Sequence, residues 1–334
     1  MSRETWLVTG GAGYIGSHIA DAFLAGGKNI IVYDSLHRGL QSRIEYLRTK
    51  HKRDIPLINA DIRDCKAFHL ALRDYKPKGI IHTAALKSVA ESIKEPEEYF
   101  EINFQATREL LETITYYGIQ KVIFSSTAAV YGAPDHGKPV QENEPKNPIS
   151  PYGSSKLAAE NLVIDYLEQK GNFGTSLRFF NVIGAESREL IDNSMDNLVP
   201  IVIGKLKRNE LPEIFGNDYP TLDGTCVRDY VDVRDIALAH LAAAKSKVAL
   251  PKAMNVGTGC GESVKSIINL IYSILGHTDR EIIQSERRKG DPASLTADTR
   301  LIRDSIGFIH KFSLEESIKS ATGLDDIELP LNRS

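Results

Sequence analysis

Apolar positions in the first half of the chain fall into short β-branched runs, separated by longer stretches where they recur every three or four residues. The runs predict strands at 5–10 (TWLVTG), 29–34 (NIIVYD), 56–60 (PLINA), 78–84 (KGIIHTA), 120–126 (QKVIFSS) and 175–180 (TSLRFF). The stretches between them, such as SHIADAFLAGG (17–27) and EEYFEINFQATRELLETITYYG (97–118), carry the period of amphipathic helices. Strands alternating with helices require crossover connections, which are right-handed, and predict a mostly parallel sheet covered on both faces. After about residue 181 the pattern loosens. IFGNDYPTLDGT reads as a turn-rich loop, and RDYVDVRDIALAHLAAAKSK as a strand and helix returning to the first unit. The expected organisation is a doubly wound α/β domain over 1–180 with a returning segment near 226–256. A smaller lobe over 181–334 is threaded into it, with a cleft between the two.

The stretch VTGGAGYIGSHIA follows the first strand and opens the first helix. Gly10, Gly13 and Gly16 are spaced three apart, and Gly11, Gly13 and Gly16 satisfy G-x-G-x-x-G. Such a loop makes a tight turn, lets backbone approach a pyrophosphate and packs helix closely on strand. The second strand ends in Asp34, where an acid accepts hydrogen bonds from a ribose 2′-hydroxyl and repels a 2′-phosphate. Strand, loop, helix and acid together predict a Rossmann-type dinucleotide site that takes NAD rather than NADP. At the end of the third strand, Asp61 and Ile62 are placed to flank an adenine ring, although DIRD also reads as a turn and helix start.

Ligands of a doubly wound sheet sit beyond the C-terminal strand ends. HTAALK (82–87), FSSTAAVYG (124–132) and a helix beginning near Tyr152 all finish there. Ser125, Ser126 and Thr127 put hydroxyls at a strand mouth. Tyr152 and Lys156 stand at i and i+4, so they share a helix face. A nearby ammonium and a cationic nicotinamide are expected to lower the phenol from about 10 towards neutrality. A tyrosine so placed takes a proton from a sugar hydroxyl as hydride leaves the same carbon.

Composition narrows the class. The 334 residues are 42% apolar, enough for a large core, and the net charge of −3 argues against nucleic acid or an anionic membrane as partner. No apolar run approaches the roughly 20 residues that span a bilayer. The start, MSRETWLVTG, lacks a charged segment followed by an apolar core, so no signal peptide is expected. Cys65, Cys226 and Cys260 are odd in number and widely spaced, as in reduced cytoplasmic thiols, and no His stands beside them at metal-ligand spacing.

Seven segments in order, TGGAGYIGSH, ALKSVAES, FSSTAAVYG, SPYGSSK, RFFNVIGA, IFGNDYPTLDGTCVRDYVDVRD and RRKGDPASLTAD, resemble the UDP-galactose 4-epimerase family of extended short-chain dehydrogenases. The resemblance covers about residues 5–300. It implies a catalytic set of Thr127, Tyr152 and Lys156 with Ser126 beside them. It implies NAD contacts from Gly10, Gly13, Tyr14, Ile15, Gly16, Asp34, Asp61, Ile62, Ala84, Ala85, Lys87 and Asn103, as well as Tyr152 and Lys156. It further implies that Asn181, Asn197, Leu198, Phe215, Arg228, Arg288, Asp291 and Leu295 hold the UDP-sugar, together with Lys87, Thr127 and Tyr152. A homodimer through a bundle of the helices near 97–117 and 153–169 is also expected, with no metal.

Three departures bear on substrate range. Phe179 stands where many members carry Tyr, Leu295 is intermediate in size where the family grades the C2 substituent, and FNVIGAESREL replaces FNPVGA with a shortened loop. The expected activity is inversion of C4 in UDP-glucose/UDP-galactose, extending to N-acetylated forms; UDP-glucuronate or a UDP-pentose is the alternative. A sugar-nucleotide 4,6-dehydratase, a UDP-glucuronate decarboxylase, a non-catalytic NAD sensor and a net oxidoreductase share the fold. Elimination needs a carboxylate beside the threonine, and this chain has Ala128-Ala129 there.

Overall fold

The computed structural model describes residues 3–134, 137–277, 280–288 and 290–323. Thirteen strands lie among these residues. They are β1 (Thr5–Thr9), β2 (Asn29–Asp34), β3 (Leu57–Asn59), β4 (Gly79–His82), β5 (Lys121–Thr127), β6 (Phe173–Phe179), β7 (Asn181–Ile183), β8 (Glu213–Phe215), β9 (Val227–Asp232), β10 (Ala253–Val256), β11 (Gly261–Ser263), β12 (Ile283–Ser285) and β13 (Ser294–Leu295). Seven of them form one parallel sheet in the order β10-β6-β5-β4-β1-β2-β3. The order reverses direction between β1 and β4, the switch point at which doubly wound sheets open a crevice.

Period-2 alternation divides the strand residues between two cores. Trp6, Val8, Ile30, Val32, Ile81, Ile123 and Leu177 face the helices Tyr14–Ala25, Gln41–His51 and Val233–Lys245. Leu7, Ile31, Tyr33, Ile80, Val122 and Phe124 face Cys65–Tyr75, Ala106–Tyr116 and Pro151–Glu168. Burial on both faces explains why these strands read as continuous apolar runs.

The first helix begins at Tyr14, three residues earlier than expected, because Gly13 is its extended N-cap. The stretch expected as one helix over 97–118 is three pieces: Pro96–Phe100, a π-helical turn Glu101–Gln105, and Ala106–Tyr116. In the segment expected to return near 226–256, helix Val233–Lys245 packs on the central sheet, but β9 does not join it. That strand is the centre of a second sheet, flanked by β7, β11 and β13, and the strand that returns beside β6 is β10. Helices Leu198–Lys207, Val264–Ile274 and Leu314–Thr322 build a third core around Tyr230 of β9. Residues 324–334 of the expected smaller lobe lie outside the described residues. Among the described residues, no helix is long and apolar enough to cross a membrane.

Candidate active site

The glycine loop is fixed by close backbone approach. Gly10 has φ +66°, and a Cβ there would stand 2.8 Å from the Ala84 nitrogen; one on Gly16 would stand 2.1 Å from the Gly10 carbonyl oxygen. Neither position admits a side chain. Helix Tyr14–Ala25 starts with no side-chain cap and no acid in its first turn, so its N-terminal amides and partial positive charge are left for an anion. The Tyr14 hydroxyl donates to the Gly184 carbonyl (2.5 Å), and Ile15 packs on the first core. Asp34 is buried at the end of β2. Its Oδ2 accepts from the Ala12 amide (2.9 Å) and its Oδ1 from the Leu36 amide (2.8 Å). Burial raises its pKa, and those two amides oppose the rise. The cradle fits a dinucleotide with an unphosphorylated ribose.

The neighbouring loops divide into cleft-facing and core-facing residues. The Asp61 carboxylate is occupied by the Arg63 guanidinium (2.8 and 2.9 Å), and Ile62 is in the second core. The Ala84 amide donates to the Thr9 hydroxyl (3.3 Å), and Ala85 follows it, half-buried. Asn103 lies in the π-helical turn. Its amide accepts from the Leu86 N–H (2.8 Å), donates to the Leu86 carbonyl (3.0 Å) and donates to the Ser155 hydroxyl (3.1 Å). It therefore clamps the loop after β4 to the helix carrying Tyr152.

That helix, Pro151–Glu168, is started by the Ser150 hydroxyl, which accepts from the Gly153 amide (3.1 Å), with Pro151 at the first helical position. Thr127, the last residue of β5, brings its hydroxyl to the Tyr152 phenol, whose pKa it lowers. One turn along the helix, the Lys156 Nζ lies 4.1 Å from the centroid of the Phe124 ring. Tyr99 meets the Tyr152 ring edge-on at 6.4 Å.

The chain's own groups act on Tyr152 against the expected lowering. Burial raises the Tyr152 phenol, with only the Thr127 hydroxyl pulling it down. Lys156 is itself pushed down to about 7 by burial, against a raising effect of Glu160. An amine brought to about 7 is partly neutral at neutral pH, and so a weaker lever on its neighbour than a fully charged ammonium. Ser126 also differs from its expected place. Residues 122, 124 and 126 share one face of β5, so the Ser126 hydroxyl turns into the protein and donates to Glu160 (2.6 Å). Ser125, on the opposite face, meets His240 (3.2 Å).

A family profile described as the NAD dependent epimerase/dehydratase family matches residues 6–257. A UDP-glucose 4-epimerase of Halalkalibacterium halodurans is 38% identical over 94% of this chain and 93% of its own length. A crystal structure of UDP-glucose-4-epimerase from Stenotrophomonas maltophila, with bound NAD and formylated UDP-arabinopyranose, superposes with a TM-score of 0.88 at 33% identity. It covers 96% of this chain and 97% of that one. The UDP-Glc/GlcNAc 4-epimerase of Campylobacter jejuni gives 0.83 at 36% identity, covering 96% and 98%. The chain belongs to this epimerase/dehydratase family, on its UDP-glucose 4-epimerase branch.

The second group of family positions gathers around β9 and the loop before helix Leu198–Lys207. Arg228 pairs with Asp291, and strand register sets Leu295 of β13 beside Arg228. The Arg288 guanidinium stacks 4.0 Å above the Phe215 ring. Leu295 packs with Ala128, Val130 and Phe180, which joins this group to the turn after Thr127. Asn181 opens β7 and is half-buried, and Leu198 packs on the third core. Lys87 and Asn197 are brought together by Asp192: Asn197 donates to its carboxylate (2.7 Å), Lys87 stands 3.7 Å from it, and Lys87 donates to Ser194 (3.0 Å). Asp192 was missed in the sequence because nothing in its local pattern marks it. Glu160 and Arg178 were missed too, although their face was readable from the alternation of β5 and β6. Phe179, by contrast, lies in the first core against His240 (5.4 Å).

Proposed function

We propose that the protein is a UDP-sugar 4-epimerase that inverts C4 of UDP-glucose/UDP-galactose, with N-acetylated forms within its range. The observation that carries this reading is the meeting of Thr127, Tyr152 and Lys156 at the mouth of β5, beside the glycine cradle and followed by Ala128-Ala129. The UDP-glucose 4-epimerases among its relatives support the same assignment. When bound, NAD supplies the acceptor and donor of hydride at C4. The cradle of Gly10, Gly13, Tyr14, Ile15 and Gly16, with Asp34 at the ribose, would hold it, and Ala84, Ala85, Lys87, Asn103 and Lys156 complete its site. Asp61 and Ile62 would flank the adenine from the end of β3.

Tyr152 takes the proton of the 4-hydroxyl and later returns it, with the Thr127 hydroxyl steering the phenol. Lys156 positions the nicotinamide ribose and stabilises the phenolate as it forms. Arg228, Arg288, Asn181 and Asn197 hold the diphosphate, and Phe215 and Asp291 the nucleoside, so the 4-keto sugar swings about its fixed linkage and presents its other face. The Ala128-Ala129 pair offers no carboxylate to eliminate water, which leaves return of hydride as the productive exit. Residues 1–180 with the returning segment form the NAD domain in this scheme, and 181–334 the UDP-sugar lobe. Exposed Phe100 and Tyr116 fit a homodimer through the helices near 97–117 and 153–169. Three unpaired cysteines fit the cytoplasm.

The test uses protein dialysed without nucleotide and incubated in turn with UDP-glucose, UDP-N-acetylglucosamine, UDP-glucuronate and UDP-xylose. Epimers resolved by chromatography without added NAD would establish reaction, retained cofactor and sugar together. Accumulation of a free 4-keto product or of NADH in place of epimer would overturn the proposal.

A further inference from the structure

Two periodicities converge behind the catalytic pair. Tyr152, Lys156 and Glu160 follow one another at i, i+4 and i+8, so they form a stripe along helix Pro151–Glu168. On the sheet below, Phe124 and Ser126 of β5 and Arg178 of β6 lie on the face that this helix covers. The stripe and the face meet at Glu160, which is fully buried. Arg178 Nη2 donates to its Oε1 (2.6 Å) and Nε to its Oε2 (3.0 Å), while Ser126 donates to Oε2 (2.6 Å). Behind it, Arg178 Nη1 donates to the Tyr131 hydroxyl (2.6 Å) and the Glu142 carbonyl (3.0 Å), and Tyr131 donates to Asn255 (2.7 Å). The carboxylate is thus locked by three elements, one helical turn beyond the amine.

A buried ion pair is a poor device for stability, since well-packed apolar side chains of similar volume serve as well or better. What such a pair does supply is a fixed charge in a low-dielectric setting, where it acts strongly on its neighbours. We propose that Glu160 is a positioning residue: its Arg178-anchored carboxylate is the countercharge that sets Lys156 for the proton transfer at Tyr152. The inference rests on the 4-epimerase reading and adds a residue to its machinery.

The surroundings of Lys156 leave this role to Glu160. From β4, His82 feels the Lys156 charge but is pushed to about 3 by burial first, and so stays neutral through the working range. From β5 come the Phe124 ring, Ser126 and Thr127, and from the π-helical turn Asn103 through Ser155, none of them charged. On its own helix stand the neutral Tyr152 phenol and Glu160. Arg178 of β6 lies behind Glu160; from outside that pair, Lys146 interacts with both charges and Glu142 with Arg178. Glu160 supports the ammonium form of Lys156 against burial, which holds the amine at about 7. With the carboxylate removed, the amine loses its proton at a lower pH. The alkaline limb of turnover, which reports loss of that proton, then moves to lower pH.

The experiment compares the pH profile of kcat for UDP-glucose epimerisation, pH 5.5 to 9.5, in the holoenzyme and in Glu160→Gln. The expected result is an alkaline limb displaced to lower pH by about one unit, with KM within roughly twofold of wild type. Glu160→Asp, which keeps the charge, should restore most of the wild-type limb. Because Glu160→Gln leaves Arg178 buried without its partner, folding is checked by melting curve. If that variant does not fold, the double variant Glu160→Leu/Arg178→Met, which removes the Arg178 charge together with its partner, takes its place. An unmoved limb in either folded variant, with only the melting temperature changed, would overturn the inference. Wild-type protein inactive on every UDP-sugar would instead overturn the epimerase reading, so the two failures are distinguishable.

Discussion

The Lys156 ammonium faces the ring of Phe124 at 4.1 Å, an interaction that gives the buried cation partial solvation where water does not reach. Burial still dominates, holding the group at about 7 against an ordinary lysine value of 10.5. A depression of that size corresponds to roughly 5 kcal/mol. The folded state therefore carries the full cost of a charged Lys156 below about pH 7, and sheds it as the pH rises towards 10.5, because over that window the unfolded chain binds more protons. Lys156→Met should accordingly raise urea-unfolding stability at pH 6, and the gain should shrink steadily between pH 7 and 10. A variant less stable than wild type at pH 6 would show that the amine makes net-favourable contacts here.

Tyr152→Phe removes the atom proposed to exchange the substrate proton while leaving the ring that packs against Tyr99. NAD should stay bound, seen as absorbance or fluorescence of the purified protein, and turnover should drop by about three orders of magnitude or more. Thr127→Val should cost about 10- to 100-fold, since it removes the hydroxyl that lowers the phenol's pKa and none of the proton chemistry. Near-normal turnover in the phenylalanine variant would end the mechanism.

The glycine loop makes a sharper structural prediction. A methyl group on Gly16 would lie 2.1 Å from the Gly10 carbonyl oxygen, which backbone cannot yield without opening the turn. Gly16→Ala should lower stability by about 2–3 kcal/mol and leave protein purified without NAD, both measurable on one preparation. Gly27 is the control, since a Cβ there meets nothing within 4 Å. Its φ of +79° limits the cost of Gly27→Ala to backbone strain of about 1–2 kcal/mol, with NAD retained.

How much of this was legible in the sequence depends on whether the signal was local. Strand, glycine turn and Asp34 are contiguous or nearly so, and the dinucleotide site followed from them, as the doubly wound sheet did from the alternation of strand and helix patterns. Tyr152 and Lys156 were readable because a helix converts i, i+4 spacing into a shared face. The break at Glu101–Gln105 was not, because a π-helical turn keeps the composition of the helix around it and is set by where Asn103 must reach. Placing β9 in the second sheet required knowing that it pairs with β7, β11 and β13, the last of them more than 60 residues on. The direction of the Ser126 side chain was recoverable in principle, since period 2 fixes it once Phe124 is known to be core. Burial, which no spacing reports, acts on both members of the Tyr152–Lys156 pair and opposes the lowering of the phenol expected from an ammonium and a nicotinamide.

Asp192 holds Lys87 and Asn197 in the region proposed to receive the diphosphate. A carboxylate there offsets positive charge that a diphosphate would otherwise meet. Asp192→Asn keeps the size and a hydrogen-bonding partner for Asn197 while deleting the charge. KM for UDP-glucose should fall about two- to fivefold with kcat within twofold, and the salt dependence of KM should steepen. A rise in KM would mean that Asp192 serves to order the loop rather than to oppose the substrate charge.

Leu295 sits with little exposure against Ala128, Val130 and Phe180, beside Arg228 in the strand register, so its side chain occupies the junction between the Thr127 turn and β9. A larger residue there has nowhere to go but towards the sugar or into the packing, and overpacking of this kind costs about 1–3 kcal/mol. The two routes are separable by substrate. If the ring of Leu295→Tyr projects towards the sugar, it meets an acetamido group at C2 before it meets a hydroxyl, and N-acetylhexosamine turnover falls by roughly tenfold more than hexose turnover. If the ring instead displaces Phe180 or Val130, the catalytic turn moves for every substrate and both activities fall together. Measuring kcat/KM on UDP-glucose and UDP-N-acetylglucosamine, alongside the melting temperature, decides between them; an equal loss on both sugars would remove Leu295 from the determinants of substrate range.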